Sequence, residues 1–127
     1  MTDPDRQHLI ERYIAAYNAF DIDGMAAVLS PDIRFDNFAQ DVKSHETVGI
    51  DAFRTLAQTS ASMFSRRAQT ILSLEFDPAQ VIAAIAFSGT LGVDIPDGPV
   101  AGTEVNMQGT STFTFADGKI ATIVDRS

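Results

Sequence analysis

The sequence contains no cysteine. That excludes disulfides, thiol chemistry and any metal held by cysteine. Its two histidines, His8 and His45, do not have metal-ligand spacing, and no His-Glu-x-x-His stretch occurs. Also missing are a glycine-rich phosphate loop and a Gly-x-Ser-x-Gly elbow, so neither a nucleotide cofactor nor a serine nucleophile is expected. Basic charge is scarce: nine Lys+Arg stand against 17 Asp+Glu, for a net charge of −8. Nucleic acid or an anionic membrane surface would demand a basic patch. The one basic pair, Arg66–Arg67, is too small to reverse that balance. Long apolar runs are absent too. "VIAAIAF" (81–87) falls far short of the roughly 20 residues that span a bilayer. The opening "MTDPDRQ" lacks the basic start and apolar run of a signal peptide. These absences predict a cytoplasmic protein working without a cofactor or metal.

What is present is an ordinary globular balance. The 127 residues are 45% hydrophobic and 20% charged, which fits one domain, 1–127, with a sizeable core. The first part reads as helix. "DPDRQHLIERYIAAYNAFD" offers Asp3 as N-cap and Pro4 at the first helical position. A short second helix, "MAAVLS", is stopped by Pro31. "DIRFDNF" then alternates as a strand, with Ile33, Phe35 and Asn37 on one face and Arg34 and Asp36 on the other. A loop, "AQDVKSHETVG", leads to "IDAFRTLAQTSASMF", whose Ile50, Phe53, Leu56, Ala57, Ser60 and Phe64 share one helical face.

Beyond Arg67 the period changes to that of strands: "AQTILSLEF", "VIAAIAFSGTLGV", "TEVNMQGTSTFTF" and "KIATIVD". Asp117–Gly118 between the last two is a hairpin signal. "VIAAIAF" is apolar on both alternating faces, so the helices are expected to cover one and the interior of the curl the other. The order predicts an α+β fold with three helices packed on a curved sheet.

The only two tyrosines, Tyr13 and Tyr17, fall on the inward stripe of the first helix with Leu9 and Phe20. Buried phenols need hydrogen-bond partners. Phe35, Phe53, Met63, Phe64, Phe87, Met107 and Phe113 could line either a core or a cavity, and the sequence does not divide them between the two. A cavity so lined would take a hydrophobic ligand with a few polar handles, such as an aromatic or polycyclic ketone.

"IERYIAAYNAFDIDGMAAVLSPDIRFDN", with a helix opening at Gly49, resembles the start of the ketosteroid isomerase-like proteins. "FSGTLGVDIPDGPVAGTEV" and "TFTFADGKIATIVD" are similar to the SnoaL-like polyketide cyclases. Both groups belong to the nuclear transport factor 2-like superfamily. The resemblance implies a cone of mixed, mostly antiparallel sheet with a pocket at its open end, and a homodimer formed through the sheet. It also implies roles. Tyr13 stands where the isomerases keep the tyrosine that donates to a developing oxyanion. Their general base aligns with Asn37, one residue after Asp36, and asparagine cannot accept a proton at neutral pH. Their second oxyanion donor aligns with Ser111. Asp125 has the spacing of the acid/base aspartate on the last strand of the cyclases, whose partner histidine is replaced by a stretch of Gly109, Thr110, Ser111 and Thr112.

Two readings remain open on the sequence. In one, the protein is a small-molecule enzyme that moves a proton next to a carbonyl. Tyr13 steadies the oxyanion, Asn37 orients the ligand, and Asp125, or else Asp36 or His45, carries the proton. In the other, the same cone is a binding or assembly domain without chemistry. Tyr13 would then be a core residue satisfied by a carbonyl or water, and Asp125 an exposed ion pair beside Arg126.

Overall fold

Helix α1 (Asp3–Asn18) starts one residue earlier than its sequence suggests. Thr2, not Asp3, is the N-cap: its hydroxyl accepts from the Asp5 backbone N–H while the Asp5 carboxylate accepts from the Thr2 N–H. This reciprocal pair satisfies two of the helix's orphan donors. The computed structural model describes residues 1–127. Helix α2 (Ile22–Ala27) is capped by Asp21, and β1 (Leu29–Ala39) follows almost at once. The short helix therefore ends before Pro31. That proline lies in β1, in a stretch paired with neither neighbour, so its missing N–H costs no ladder bond.

The segment read as a loop contains a strand, β2 (Val42–Val48), antiparallel to β1. It is a charged, mostly exposed edge with no buried face to impose an apolar alternation. Helix α3 (Ile50–Ser62) precedes β3 (Phe64–Phe76), β4 (Val81–Leu91), β5 (Glu104–Ala116) and β6 (Lys119–Arg126). The six strands form one sheet in the order β2-β1-β6-β5-β4-β3. Only β1 and β6 run parallel. Asp117 and Gly118 both have positive φ, 52° and 76°, the paired left-handed geometry that a tight β5–β6 hairpin needs.

Register shifts in β1, β3 and β5 bend the strands, and the sheet curls around the helices. Helix α1 lies against β3, and α3 against β1 and β2. The core sits between them, where Ile10, Val28, Ile33, Val81, Phe113, Ile120 and Ile123 are fully buried. In β4 the buried residues alternate: Val81, Ala83 and Ile85 face the helices, while Ile82, Ala84 and Ala86 are half-buried on the outer side. Helices and concave interior thus cover the same face of this strand, and the expected second cover is absent within the chain. No helix is long and apolar enough to cross a membrane.

Candidate functional site

The register of the sheet brings distant positions into one row. Asn37 on β1 pairs with Asp125 on β6, and Asp125 pairs with Ser111 on β5. Across the other edge of β1, Asn37 pairs with His45. Side chains at paired positions project from the same face, so His45, Asn37, Asp125 and Ser111 form a polar row across four strands. Its neighbour is apolar, with Phe35, Ile123, Phe113 and Val81 paired in turn.

The polar row lines a cavity of about 340 Å³ between the helices and the open end of the sheet. Tyr13 and Tyr17 face it from successive turns of α1, and Phe53 from α3. Phe35, Met63 and Phe64 line it as well, joined by Phe87 and Met107 from β4 and β5. Phe113 does not. It is fully buried behind the cavity, edge-on to the Tyr13 ring at 6.1 Å between centroids. Asp36, on the opposite face of β1, is also outside the lining. It is buried against Arg34 (3.3 Å) and Lys43 (3.6 Å).

Asp125 is half-buried, and its carboxylate has one protein partner: Ser111 Oγ donates to Oδ1 at 2.6 Å. Loss of hydration pushes its pKa up to about 6, against the opposing effect of the serine bond. The Asp125–Arg126 ion pair weighed from the sequence is not formed; Arg126 instead stacks on Phe38, 4.2 Å from the ring centroid.

Tyr13 is 5% exposed, yet its hydroxyl makes no hydrogen bond within the protein and is not sealed off among the buried unpartnered atoms. It therefore opens on the cavity. Burial raises the phenol's pKa well above its ordinary value, and the nearby charge of Asp125 adds to the shift. Tyr13 thus remains a neutral donor at any working pH. Asn37 Nδ2 donates to Ser44 Oγ at 2.7 Å, and that hydroxyl also lies 3.0 Å from His45 Nδ1.

Several lining residues carry no sequence signal that assigns them to a pocket, including Met25, Leu56, Ile85, Gln69 and Arg67. Arg67 is the most unusual. It is 3% exposed, and its guanidinium lies 3.8 Å from the Tyr17 ring centroid and 4.6 Å from that of Phe20. A faint signal did exist: adjacent residues on a strand point to opposite faces. One member of the Arg66–Arg67 pair must therefore turn inward, and Arg66 is the one that reaches Glu104 outside.

The end of α1 builds this corner. Asp21 N–H bonds to Ala16 O and Phe20 N–H to Tyr17 O, with Phe20 at φ 57°. The turn is a helix exit usually made with glycine; here a phenylalanine accepts the left-handed backbone and sets its ring against the arginine. Asn18 then clamps the helix to β3 through two bonds to the Gln69 backbone, 3.0 and 2.7 Å long.

A family model described as the SnoaL-like domain matches residues 10–123. The chain belongs to this family. Its fold is that of the nuclear transport factor 2-like superfamily, as the resemblance implied. The SnoaL-like chain is similar to a solved structure from Xanthomonas campestris pv. campestris that carries the provisional name polyketide cyclase, at 23% identity and a TM-score of 0.83, covering 98% of this chain and 90% of that one. It is similar to TsrD from Streptomyces laurentii at 24% identity and a TM-score of 0.81, covering 98% and 89%. A ketosteroid isomerase-like fold from Catenulispora acidiphila DSM 44928, solved with trimethylamine, matches at 10% identity and a TM-score of 0.75, covering 92% and 82%. At these identities the likeness concerns the fold of the SnoaL-like chain alone. No curated protein matches it.

Proposed function

We propose that this SnoaL-like protein is an enzyme that binds an apolar aromatic or polycyclic carbonyl compound and moves a proton at the carbon beside the carbonyl. The observation that carries the reading is the shared cavity wall of Asp125 and Tyr13. One is a desolvated carboxyl with a pKa of about 6; the other is a phenol donor with no partner in the protein. Enolate chemistry needs both: a base able to work near neutrality, and a preorganised donor where negative charge develops.

In the proposed step the Asp125 carboxylate takes the proton from the carbon. The C–H electron pair becomes the C=C bond of an enolate, and the carbonyl oxygen takes the charge under the Tyr13 O–H. Asp125, now a carboxylic acid, returns the proton to another carbon in an isomerisation. In a cyclisation the enolate carbon instead attacks an internal carbonyl, and the acid protonates the new alkoxide. Asn37 orients the ligand from the neighbouring strand. Asp36 is unsuited to the proton-carrying role because it lies outside the cavity lining.

The test is deuterium exchange into the acetyl group of 2-acetylnaphthalene, followed by proton NMR. Wild type is expected to accelerate exchange over buffer and Asp125→Asn to lose that acceleration. Equal rates in the two proteins would overturn the assignment. The dimer through the sheet is part of the same proposal: the outer side of β4 carries the half-buried Ile82, Ala84 and Ala86. Sedimentation equilibrium is expected to give twice the chain mass, and a monomer at all concentrations would reject it.

A further inference from the structure

Arg67 carries a buried positive charge that no acid in the protein answers. Its Nε donates to the Tyr17 carbonyl at 3.1 Å. Nη2 is shielded from solvent without an acceptor, and the guanidinium's only other polar neighbour is the Tyr17 side chain, although Arg67 lines the cavity. No carboxylate lies within ion-pair distance of it, whereas Arg6, Arg34, Arg54 and Arg66 each pair with an acid and the other two unpaired arginines, Arg12 and Arg126, are exposed. The Tyr17 and Phe20 faces offset part of the desolvation cost. A buried cation without a counter-charge is otherwise expensive and persists where a ligand or function needs it.

The balance of charge around the cavity points the same way. The chain as a whole is at −8, yet the charged side chains of the lining are two arginines, the buried Arg67 and the exposed Arg126, and one aspartate, Asp125. Asp125 and Arg67 stand on β6 and β3, with β5 and β4 between them in the sheet, so the carboxylate and the guanidinium reach the cavity from separate strands.

We infer that the ligand is an organic anion, an apolar ring body bearing a carboxylate, and that Arg67 receives that carboxylate while the ring lies along Tyr13, Phe53 and Phe87. The inference rests on the reading of the cavity as a ligand site and adds the class of ligand. A carboxylate oxygen reaching the guanidinium from the cavity supplies the missing counter-charge, and the guanidinium already lies against two rings, 3.8 and 4.6 Å from their centroids. The volume of about 340 Å³ accommodates a bicyclic acid, being within the range of small-molecule sites.

The experiment compares two probes of nearly equal size, 2-naphthoate and 2-acetylnaphthalene, by isothermal titration against wild type, Arg67→Met and Arg67→Lys. Wild type is expected to bind the acid at least about tenfold more tightly than the ketone. Arg67→Met is expected to lose that preference, and Arg67→Lys to retain part of it. Arg67→Lys also serves as the folded control, since it keeps the charge. Equal affinity for both probes in wild type, or an undiminished preference in Arg67→Met, overturns the inference. The exchange assay above separates the two claims. Exchange without a preference for the acid rejects only the anion, and preference without exchange rejects only the proton transfer. Failure of both probes to bind rejects both.

Discussion

Ser111 and Asp125, paired across β5 and β6, share a hydrogen bond of 2.6 Å, and this is the sole protein partner of the Asp125 carboxylate. A single donor does not offset the water that the carboxylate has lost, so its pKa stays near 6. Removing the donor shifts the balance further. Ser111→Ala is predicted to raise the Asp125 pKa and to move the inflection of the exchange rate upward by roughly one pH unit. A pH–rate profile of the variant measures it.

Asp125→Asn is predicted to slow exchange by about 10²–10⁴-fold, the usual worth of a positioned base. The same substitution is predicted to stabilise the fold at pH 8. Asp125 has a folded-state pKa of about 6 against an ordinary value of 3.8, so between these values the folded state binds more protons than the unfolded one. Wild-type stability due to this group therefore rises as the pH falls from about 7 towards 4, and the ionised carboxylate costs up to about 3 kcal/mol above that window. Urea titrations at several pH values are expected to show Asp125→Asn more stable at pH 8, with the gap closing by pH 4.5.

Tyr13→Phe separates function from fold in another way. Its hydroxyl has no partner inside the protein, so its removal is predicted to change stability by less than about 1 kcal/mol. The loss of exchange is expected to be about 10²–10³-fold, as for other oxyanion donors. Thermal melts and the exchange assay on one preparation report both.

Gly109 lines the cavity where β5 passes β6, and a Cβ there would overlap the Arg126 carbonyl oxygen. Since the obstacle is backbone, it cannot swing aside. Gly109→Ala is predicted to cost about 1–3 kcal/mol and to displace the end of β6 that carries Asp125. Chemical denaturation, with exchange rates measured on the folded fraction, checks both effects.

Much of this arrangement could be read in the sequence. The first helix, the strand period beyond Arg67 and the Asp117–Gly118 hairpin followed from local chemistry, and the resemblance supplied the cone that places Tyr13 and Asp125 in one cavity. What escaped was set by tertiary partners. β2 has no buried face, so its residues carry no alternation, and only the pairing with β1 makes them a strand. Phe113 has the same local pattern as the lining aromatics, and only its packing edge-on to Tyr13 places it behind the cavity. The role of Arg67 depends on the α1 exit turn at Phe20 and on the Asn18 clamp, neither of which its neighbours in the sequence announce.

The central claim is that Asp125 is held as a base of raised pKa in the cavity wall. A carbon-13 NMR titration of its side-chain carboxyl, assigned by comparison with Asp125→Asn, tests this most directly. An inflection near pH 6 is expected. Titration in the ordinary aspartate range, about pH 4, would contradict it.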